Sequence, residues 1–516
     1  MHHLQTSGDV QRWRQQSEDR PIHFVPTMGA LHDGHAALIH RAAQADAGQP
    51  LPRVVVSVFV NPLQFGPAED FSRYPRTLAE DGRLAREAGA DAFWAPSLRD
   101  VYPDGPEGVT RLMPPPALVN QLCGASRPGH FDGVATVVSR LLAIVAPHRL
   151  LLGEKDWQQL VVLRHVVRDL GLPVQIEAVA TVRDADGLAR SSRNRYLNPE
   201  QRRQAVALPV ALEKARQSAA AGVDDATDIT AQVRGDLENA GLVVDYVALT
   251  CAHNLKPMLR VDGLALLAAA VHCGPARLID HVVVMSRSPI VAIDGPAGAG
   301  KSTVTRAFAE RLGLVYLDTG AMYRALTWWL QRQGVDPGDA AAIDPLLTQL
   351  EIRLAAGAEG QPQVWVNGHE VTEAIRAPEV TAAVSQVAAH ACVRHALTAQ
   401  QQRLGARGGL VAEGRDIGTA VFPQADLKVF LTATPGERAR RRAQDLQQRG
   451  FAVPPLAELE RQIVERDHND ASRAVAPLRQ ADDAVELITD GLSIHRVIQR
   501  LVELFRERVP EEAWPG

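Results

Sequence analysis

The sequence holds little that would tie it to a membrane, a disulfide framework or a nucleic acid. Only four of its 516 residues are cysteines, Cys123, Cys251, Cys273 and Cys392. No two stand at C-x-x-C spacing, which excludes the usual zinc and redox motifs. No hydrophobic run is long: the apolar stretch GLALLAAAVHCG from Gly263 falls short of the roughly 20 residues that a membrane-spanning helix needs. The N-terminus, MHHLQTSGDVQRWRQQ, lacks the apolar core of a secretory signal. Positive charge is not in excess, since 55 Lys and Arg face 60 Asp and Glu for a net charge of −5. That balance argues against a large nucleic-acid-binding face. No internal repeat is visible. These absences predict a cytoplasmic chain with neither a nucleic-acid nor a membrane partner.

The sequence is otherwise ordinary globular material, 46% hydrophobic and 22% charged, with length enough for two to four domains. From Pro21 to about Gly187, short apolar runs (IHFVP, RVVVSVFV, DAFWAP, HRLLLG, VQIEAVATV) alternate with helical stretches such as HAALIHRAAQA and DWQQLVVLRHVVRDL. Such alternation predicts a parallel sheet covered on both faces. Residues 199–240 read as helices, and VVDYVAL and LALLAAAV as strands of a small α+β lobe. HVVVM then closes one domain and PIVAIDG opens another, with SRS between them. The second half alternates again through VAIDG, LVYLD, GLVAEG, DLKVFLTA and AVELITD, with an insert around 350–376 that reads as a few strands. The expected domains are 1–284, divided into a Rossmann-like part (1–187) and a smaller lobe (188–284), and 285–516.

Gly295-Pro296-Ala297-Gly298-Ala299-Gly300-Lys301-Ser302 fits G-x-x-x-x-G-K-[ST], with an apolar strand before it and an amphipathic helix beginning at Lys301 after it. Glycines let successive N–H groups curl around phosphate oxygens. Lys301 adds a point charge, and Ser302 is placed to hold Mg²⁺. LDTGAMYR, VSQVAAHACVR, EGRDIG and ERDHNDASRAVAPL follow in order and supply Arg324, Arg394, Arg415, Arg466 and Arg473 as candidate anion ligands. A kinase acting on a phosphate acceptor needs such a set. Its nucleophile is already an anion, and guanidinium groups with Mg²⁺ relieve the charge repulsion.

In the first half, PTMGALHDGHAALIHRA follows strand IHFV. His32 and His35 stand three apart where a loop enters a helix. Metal ligation would need a third ligand at sensible spacing, and none is obvious. Solvated loop histidines are a second reading. The third is nucleotide binding, since a helix N-terminus attracts phosphate and imidazoles there can donate to charge on a departing pyrophosphate. FVNPLQFG, SRPGHFDGVATVV, GEKDWQQL and VRDADGLARSSRNRYL all lie at or near strand ends. There they bring Asn61, Gln64, Lys155, Asp156, Gln159, Ser191, Ser192 and Arg193 toward the edge where open α/β sheets bind ligands.

On these motifs, residues from about 288 to 510 resemble the bacterial cytidylate kinases, a P-loop nucleoside monophosphate kinase family. Residues 1 to about 284 resemble the pantothenate synthetases (pantoate–β-alanine ligases), H-x-G-H nucleotidylyltransferases whose signature HDGH fits. The kinase resemblance implies γ-phosphoryl transfer from ATP to CMP or dCMP, with Gly295 to Ser302 and Thr303 on ATP. It implies that Arg324, Arg415 and Arg473 hold the acceptor phosphate. Ser385, Arg394 and Asp416 would read cytosine, with Asp416 accepting from the N4 amino group. Arg466 and Asp470 would hold the sugar, and Thr319 stands where the family often has Ser. For Asp416 the competing role is a structural partner of Arg415 or a helix cap. The run 437–450 would be a mobile lid, with Arg438, Arg441 and Arg442 as candidate phosphate ligands.

The ligase resemblance implies attack of pantoate on ATP, giving pantoyl adenylate and pyrophosphate, and then displacement of AMP by β-alanine. Met28, Gly29, Ala30, Leu31, His32, Asp33, Gly34 and His35 would contact ATP. So would Gly153, Glu154, Lys155, Asp156, Val182, Arg190, Ser191, Ser192 and Arg193. His35 would be the proton donor, His32 would assist with phosphate charge, and Lys155 would sit on the transferred phosphate. Gln64, Gln159 and Asn61 would hold pantoate and β-alanine. Arg190 departs from the apolar Leu or Met usual before SSR. Mg²⁺ with ATP is expected at both sites, with no tightly bound organic cofactor and a homodimer through the first domain. The rival expectations are a kinase acting on UMP or another monophosphate, and a non-catalytic nucleotide sensor in one half regulating the other.

Overall fold

The computed structural model describes residues 1–16, 20–45, 50–66, 71–356, 362–448, 450, 452–473 and 475–514. It divides into two compact units, Met1–Ser286 and Arg287–Gly516.

In the first unit, β1 (His2–Leu4), β2 (Ile22–Thr27), β3 (Arg53–Val58), β4 (Ala92–Trp94), β5 (Arg149–Gly153) and β6 (Gln175–Val179) form one parallel sheet in the order β1-β4-β3-β2-β5-β6. The central strands are buried almost throughout, as Ile22, Phe24, Val25, Val54, Val55 and Val56 show. A sheet covered by helices on both faces needs continuous rather than alternating apolar runs. From β2 the chain runs outward through β3 to β4, then crosses to β5 and β6. The order therefore reverses between β2 and β5, the place where such sheets bind ligands. The pairing there is short. β2 matches β3 over six residues but meets β5 only at His23–Arg149 and Phe24–Leu150. Beyond those pairs the carboxyl ends of β2 and β5 are no longer laddered, and a crevice opens between them.

The smaller lobe packs helices Ala207–Ala220 and Ala226–Asn239 on an antiparallel sheet of β7 (Val243–Cys251), β8 (Leu264–Cys273) and β9 (Ala276–Met285). The apolar run GLALLAAAVHCG is its buried central strand.

In the second unit, β10 (Ile290–Asp294) and β11 (Val315–Asp318) belong to a parallel sheet. An antiparallel insert of β12 (Ile352–Ala356), β13 (Pro362–Val366) and β14 (His369–Glu370) follows, with residues 357–361 outside the described chain. β15 (Leu410–Gly414), β16 (Leu427–Thr432) and β17 (Val485–Ile488) complete the parallel sheet in the order β11-β15-β10-β16-β17. The phosphate-loop motif leaves the central strand β10 and enters helix Lys301–Arg311. Arg287, within the SRS stretch, bonds Asp426 at 2.6 Å and so belongs to this unit. Among the described residues, no helix is long and apolar enough to cross a membrane.

Candidate active sites

The crevice of the first unit is built around the turn from β2 into helix Asp33–Ala42. His32 caps this helix: its Nδ1 accepts from the Gly34 N–H at 3.2 Å. The Nδ1 of His35 accepts from the His32 N–H at 3.3 Å. The rings lie 4.2 Å apart between centroids. Glycine at 34 is what permits this fold-back, because a Cβ there would meet the His32 ring at 2.9 Å. Both Nδ1 atoms are acceptors, so each neutral imidazole carries its proton on Nε2. Burial, with Lys155 and Arg190 nearby, pushes the His32 pKa down to about 4. Burial, with His32 beside it, pushes His35 down to about 3. The pair is therefore two uncharged N–H donors rather than imidazolium acids.

The preceding loop is held from beneath by a residue that no motif signalled. Asp81, 1% exposed on helix Leu78–Glu87, accepts from the N–H groups of Ala30 (3.2 Å) and Leu31 (2.8 Å) and from the Thr77 hydroxyl (3.1 Å). Opposite, β5 ends in the Glu154–Asp156 turn. Lys155 and Asp156 stand 3.6 Å apart there. Burial opposes charge on Asp156, but Lys155, Arg193, His130 and Arg127 outweigh it and lower its pKa. The Trp157 indole N–H bonds Ala252 O at 2.8 Å and ties this turn to the small lobe.

The third wall is the loop at 182–193. Arg183 pairs with buried Asp280 on β9 (2.6 Å), and Arg190 pairs with Asp33 (2.8 Å) and with Asp184. Met28, His35, Gln64, Lys155, Gln159 and Ser192 all face one cavity of about 260 Å³. It adjoins a larger one of about 610 Å³ that reaches Asp245 and Arg277 of the small lobe. Asn61 plays a supporting part. Its amide bonds Gln64 and the Gly133 carbonyl, and its oxygen accepts from Leu63 N–H and the Tyr102 hydroxyl. With both donors and both lone pairs in use, Asn61 orients Gln64, whose own amide reaches the Met28 sulfur at 3.0 Å.

In the second unit, Gly295 takes φ +149°, and a Cβ there would fall 2.0 Å from the Leu431 carbonyl oxygen, so no other residue fits. Lys301 donates to the Gly295 and Pro296 carbonyls at 2.7 and 2.8 Å. Burial pulls its pKa down to about 8, against the opposing charge of Glu413. Glu413, at the end of β15, accepts from Ser302 Oγ at 2.5 Å and from the Tyr316 hydroxyl at 2.9 Å. Burial, then neighbouring Asp318, raises its pKa. Ser302 and Thr303 lie exposed at the helix start, and Thr319 bonds the Glu413 carbonyl. Two arginines of the 437–450 run brace the loop: Arg438 bonds the Ala297 carbonyl and Asp467, and Arg441 bonds the Ala299 carbonyl. Arg442 is exposed on the same helix, Pro435–Gln448, and residue 449 of that run lies outside the described chain.

Asp294, which immediately precedes the phosphate loop, accepts from the N–H groups of Ile417 (2.8 Å) and Gly418 (2.7 Å). These open a π-helical turn, Ile417–Val421, directly after Asp416. Asp416 bonds Arg394 at 2.6 Å, with both side chains buried. Arg415 pairs instead with Asp470, which also takes Arg473. Ser385, Arg466, Asp470 and Arg473 line a cavity of about 390 Å³. Arg324, at 3.1 Å from Asp318, stands on helix Thr319–Arg332.

The family model for pantoate–β-alanine ligase matches residues 2–283, and that for cytidylate kinase matches residues 291–507. A bifunctional pantoate ligase/cytidylate kinase of Prochlorococcus marinus (strain MIT 9313) is 62% identical over 506 residues, 98% of this chain and 99% of that one. The protein of the same description from Synechococcus sp. (strain RCC307) is 61% identical over 510 residues, 99% of each chain. The crystal structure of pantothenate synthetase from Thermus thermophilus superposes with a TM-score of 0.51 at 43% identity, covering 55% of this chain and 99% of that one. The chain therefore belongs to the bifunctional pantoate ligase/cytidylate kinase family, with its ligase in the first unit and its kinase in the second.

Proposed function

We propose that the ligase works through an acyl adenylate and that the kinase phosphorylates CMP or dCMP. A pantoate carboxylate oxygen attacks the α-phosphorus of ATP, an O–P bond forms, and pyrophosphate leaves. The β-alanine amine, free of its extra proton, then attacks the acyl carbon. The C–O bond to AMP breaks, and the amide forms with loss of a proton. The observation that carries this reading is the pair of Nε2–H donors on neutral His32 and His35, facing the same cavity as Lys155. Donors fixed before the reaction stabilise charge as it develops on the leaving phosphates. Gln64, held by Asn61, and Gln159 would orient pantoate. Met28–His35, Gly153–Asp156, Val182 and Arg190–Arg193 would hold the nucleotide, which brings its own Mg²⁺ as part of the substrate.

In the kinase, Gly295–Thr303 would hold ATP, and Arg324, Arg415 and Arg473 the acceptor phosphate. Arg466 and Asp470 would hold the sugar. Ser385, Arg394 and Asp416 would read cytosine, with buried Asp416 as the acceptor facing the N4 amino group. Ser302 and Glu413 suit Mg²⁺: a hydroxyl and a buried carboxylate bonded to each other offer the all-oxygen ligands that a hard cation takes. Bound there, Mg²⁺ would supply neutralisation of phosphate charge. The proposed steps need no organic cofactor, and a homodimer through the first unit is the assembly implied by the ligase resemblance.

The test is isotope exchange. Pantoate alone should drive labelled pyrophosphate into ATP without β-alanine, while CMP alone should convert ATP to ADP. Exchange that strictly required β-alanine would sink the adenylate route.

A further inference from the structure

Two of the three guanidinium groups given above to the acceptor phosphate, Arg415 and Arg473, already share an anion. Asp470, near the end of helix Leu456–Ala471, is 1% exposed. One of its oxygens accepts from Arg415 Nε and the other from Arg473 Nη2. Arg466 faces the same cavity and is held below the usual arginine range by burial and by the neighbouring Arg415. Three cations crowd one small space, and a single carboxylate bridges two of them.

We propose that Asp470 is an exchangeable counter-ion that makes the acceptor site choose a sugar-linked phosphate over a bare anion. The inference rests on the reading of Arg415 and Arg473 as acceptor-phosphate ligands. A phosphate that settles between the two guanidinium groups competes with Asp470 for the Arg415 Nε–H and the Arg473 Nη2–H that the carboxylate now holds. A carboxylate only accepts hydrogen bonds, so inorganic phosphate that takes those two N–H groups strips the buried carboxylate of both arginine bonds it accepts, a disfavoured state. A nucleotide brings replacement donors with it, because its sugar hydroxyls can bond the released carboxylate. One side chain thus couples phosphate binding to sugar binding. It also keeps ambient phosphate off a site whose cations would otherwise attract it.

The experiment is inhibition of CMP phosphorylation by the full-length protein at saturating MgATP. Inhibition constants against CMP are measured for inorganic phosphate and for ribose 5-phosphate. In the unaltered protein, ribose 5-phosphate should compete with CMP and bind far better than phosphate. In Asp470→Asn, phosphate should bind about tenfold tighter and ribose 5-phosphate more weakly, as expected when one charge-assisted bond is no longer exchanged. The discrimination ratio should then collapse. Asp470→Glu keeps the counter-ion and should keep phosphate weak. Glu465→Gln, which removes an exposed carboxylate lining the same cavity, should leave the ratio unchanged. A ratio unaltered in Asp470→Asn, or phosphate binding equally tight in Asp470→Glu and Asp470→Asn, overturns the inference. Absence of competition between ribose 5-phosphate and CMP in the unaltered protein overturns the underlying reading of the arginines, and the inference with it.

Discussion

His32 and His35 derive their chemistry from charge they do not carry. The H-x-G-H spacing was legible in the sequence, and it left metal ligation, solvated histidines and phosphate contact open. The tautomer was not legible, because it depends on the ring folding back over Gly34 onto backbone N–H groups. A neutral donor has a testable signature. If His35 had to act as an imidazolium, kcat/KM for ATP in the ligase reaction would fall as pH rises through its pKa. With pKa values of about 4 and about 3, no such fall should occur between pH 5.5 and 7.5. The same shifts set the sign for stability. Folded values lie below the ordinary 6.5, so between pH 6.5 and about 4 the unfolded chain binds protons that the folded one refuses, and stability drops with acidification. Buried His281, also pushed down to about 4, acts in the same direction. Each such group costs roughly 1.4 kcal/mol per pH unit below 6.5. Unfolding of the ligase unit, followed from pH 7.5 to 5.5, should show that slope, and His32→Gln with His35→Gln should reduce it. A rise in stability on acidification would contradict the assignment.

Strands and loops were legible where their signal is local. The buried runs of β2, β3, β5 and β10 and the glycines of the phosphate loop announce themselves, because burial on both faces and a close approach to Leu431 restrict which residues serve. The three-residue edge strand β1 carries too little pattern to be read. Braces from distant elements are equally silent. Asp81 looks like any surface acid in its helix, yet it holds the Met28–Leu31 loop across 50 residues of chain. Arg438 and Arg441 sit in a run that reads as a charged lid, and in the folded chain they bond carbonyls of the phosphate loop. Asp81→Ala should destabilise the ligase unit by roughly 2–4 kcal/mol, the cost of two buried N–H groups left unpaired. It should also raise KM for ATP in the ligase reaction while CMP phosphorylation persists. Asp81→Asn, which keeps one acceptor oxygen, should lose less. Denaturant unfolding together with both activities checks this. Unchanged stability and KM in Asp81→Ala would remove the brace from the account.

The chain as a whole carries two candidate sets of phosphate ligands, each assembled from residues of its own unit. One set is the helix-capping histidines with Lys155, and the other is the phosphate loop with Lys301. Both lysines were readable from motif and position, but their surroundings were not. Lys155 owes its setting to a turn pinned to the small lobe by Trp157, and Lys301 owes its lowered pKa to burial, which the charge of Glu413 opposes. The central claim is that one polypeptide runs two ATP reactions at separate sites, one releasing AMP and the other ADP. Its most direct test measures both products in the same preparation of full-length protein, with pantoate, β-alanine and CMP present. Lys155→Ala should abolish pantoate-dependent AMP release and leave CMP-dependent ADP release nearly intact, and Lys301→Ala should do the reverse. Loss of both products from either variant, in protein that remains folded, would contradict it.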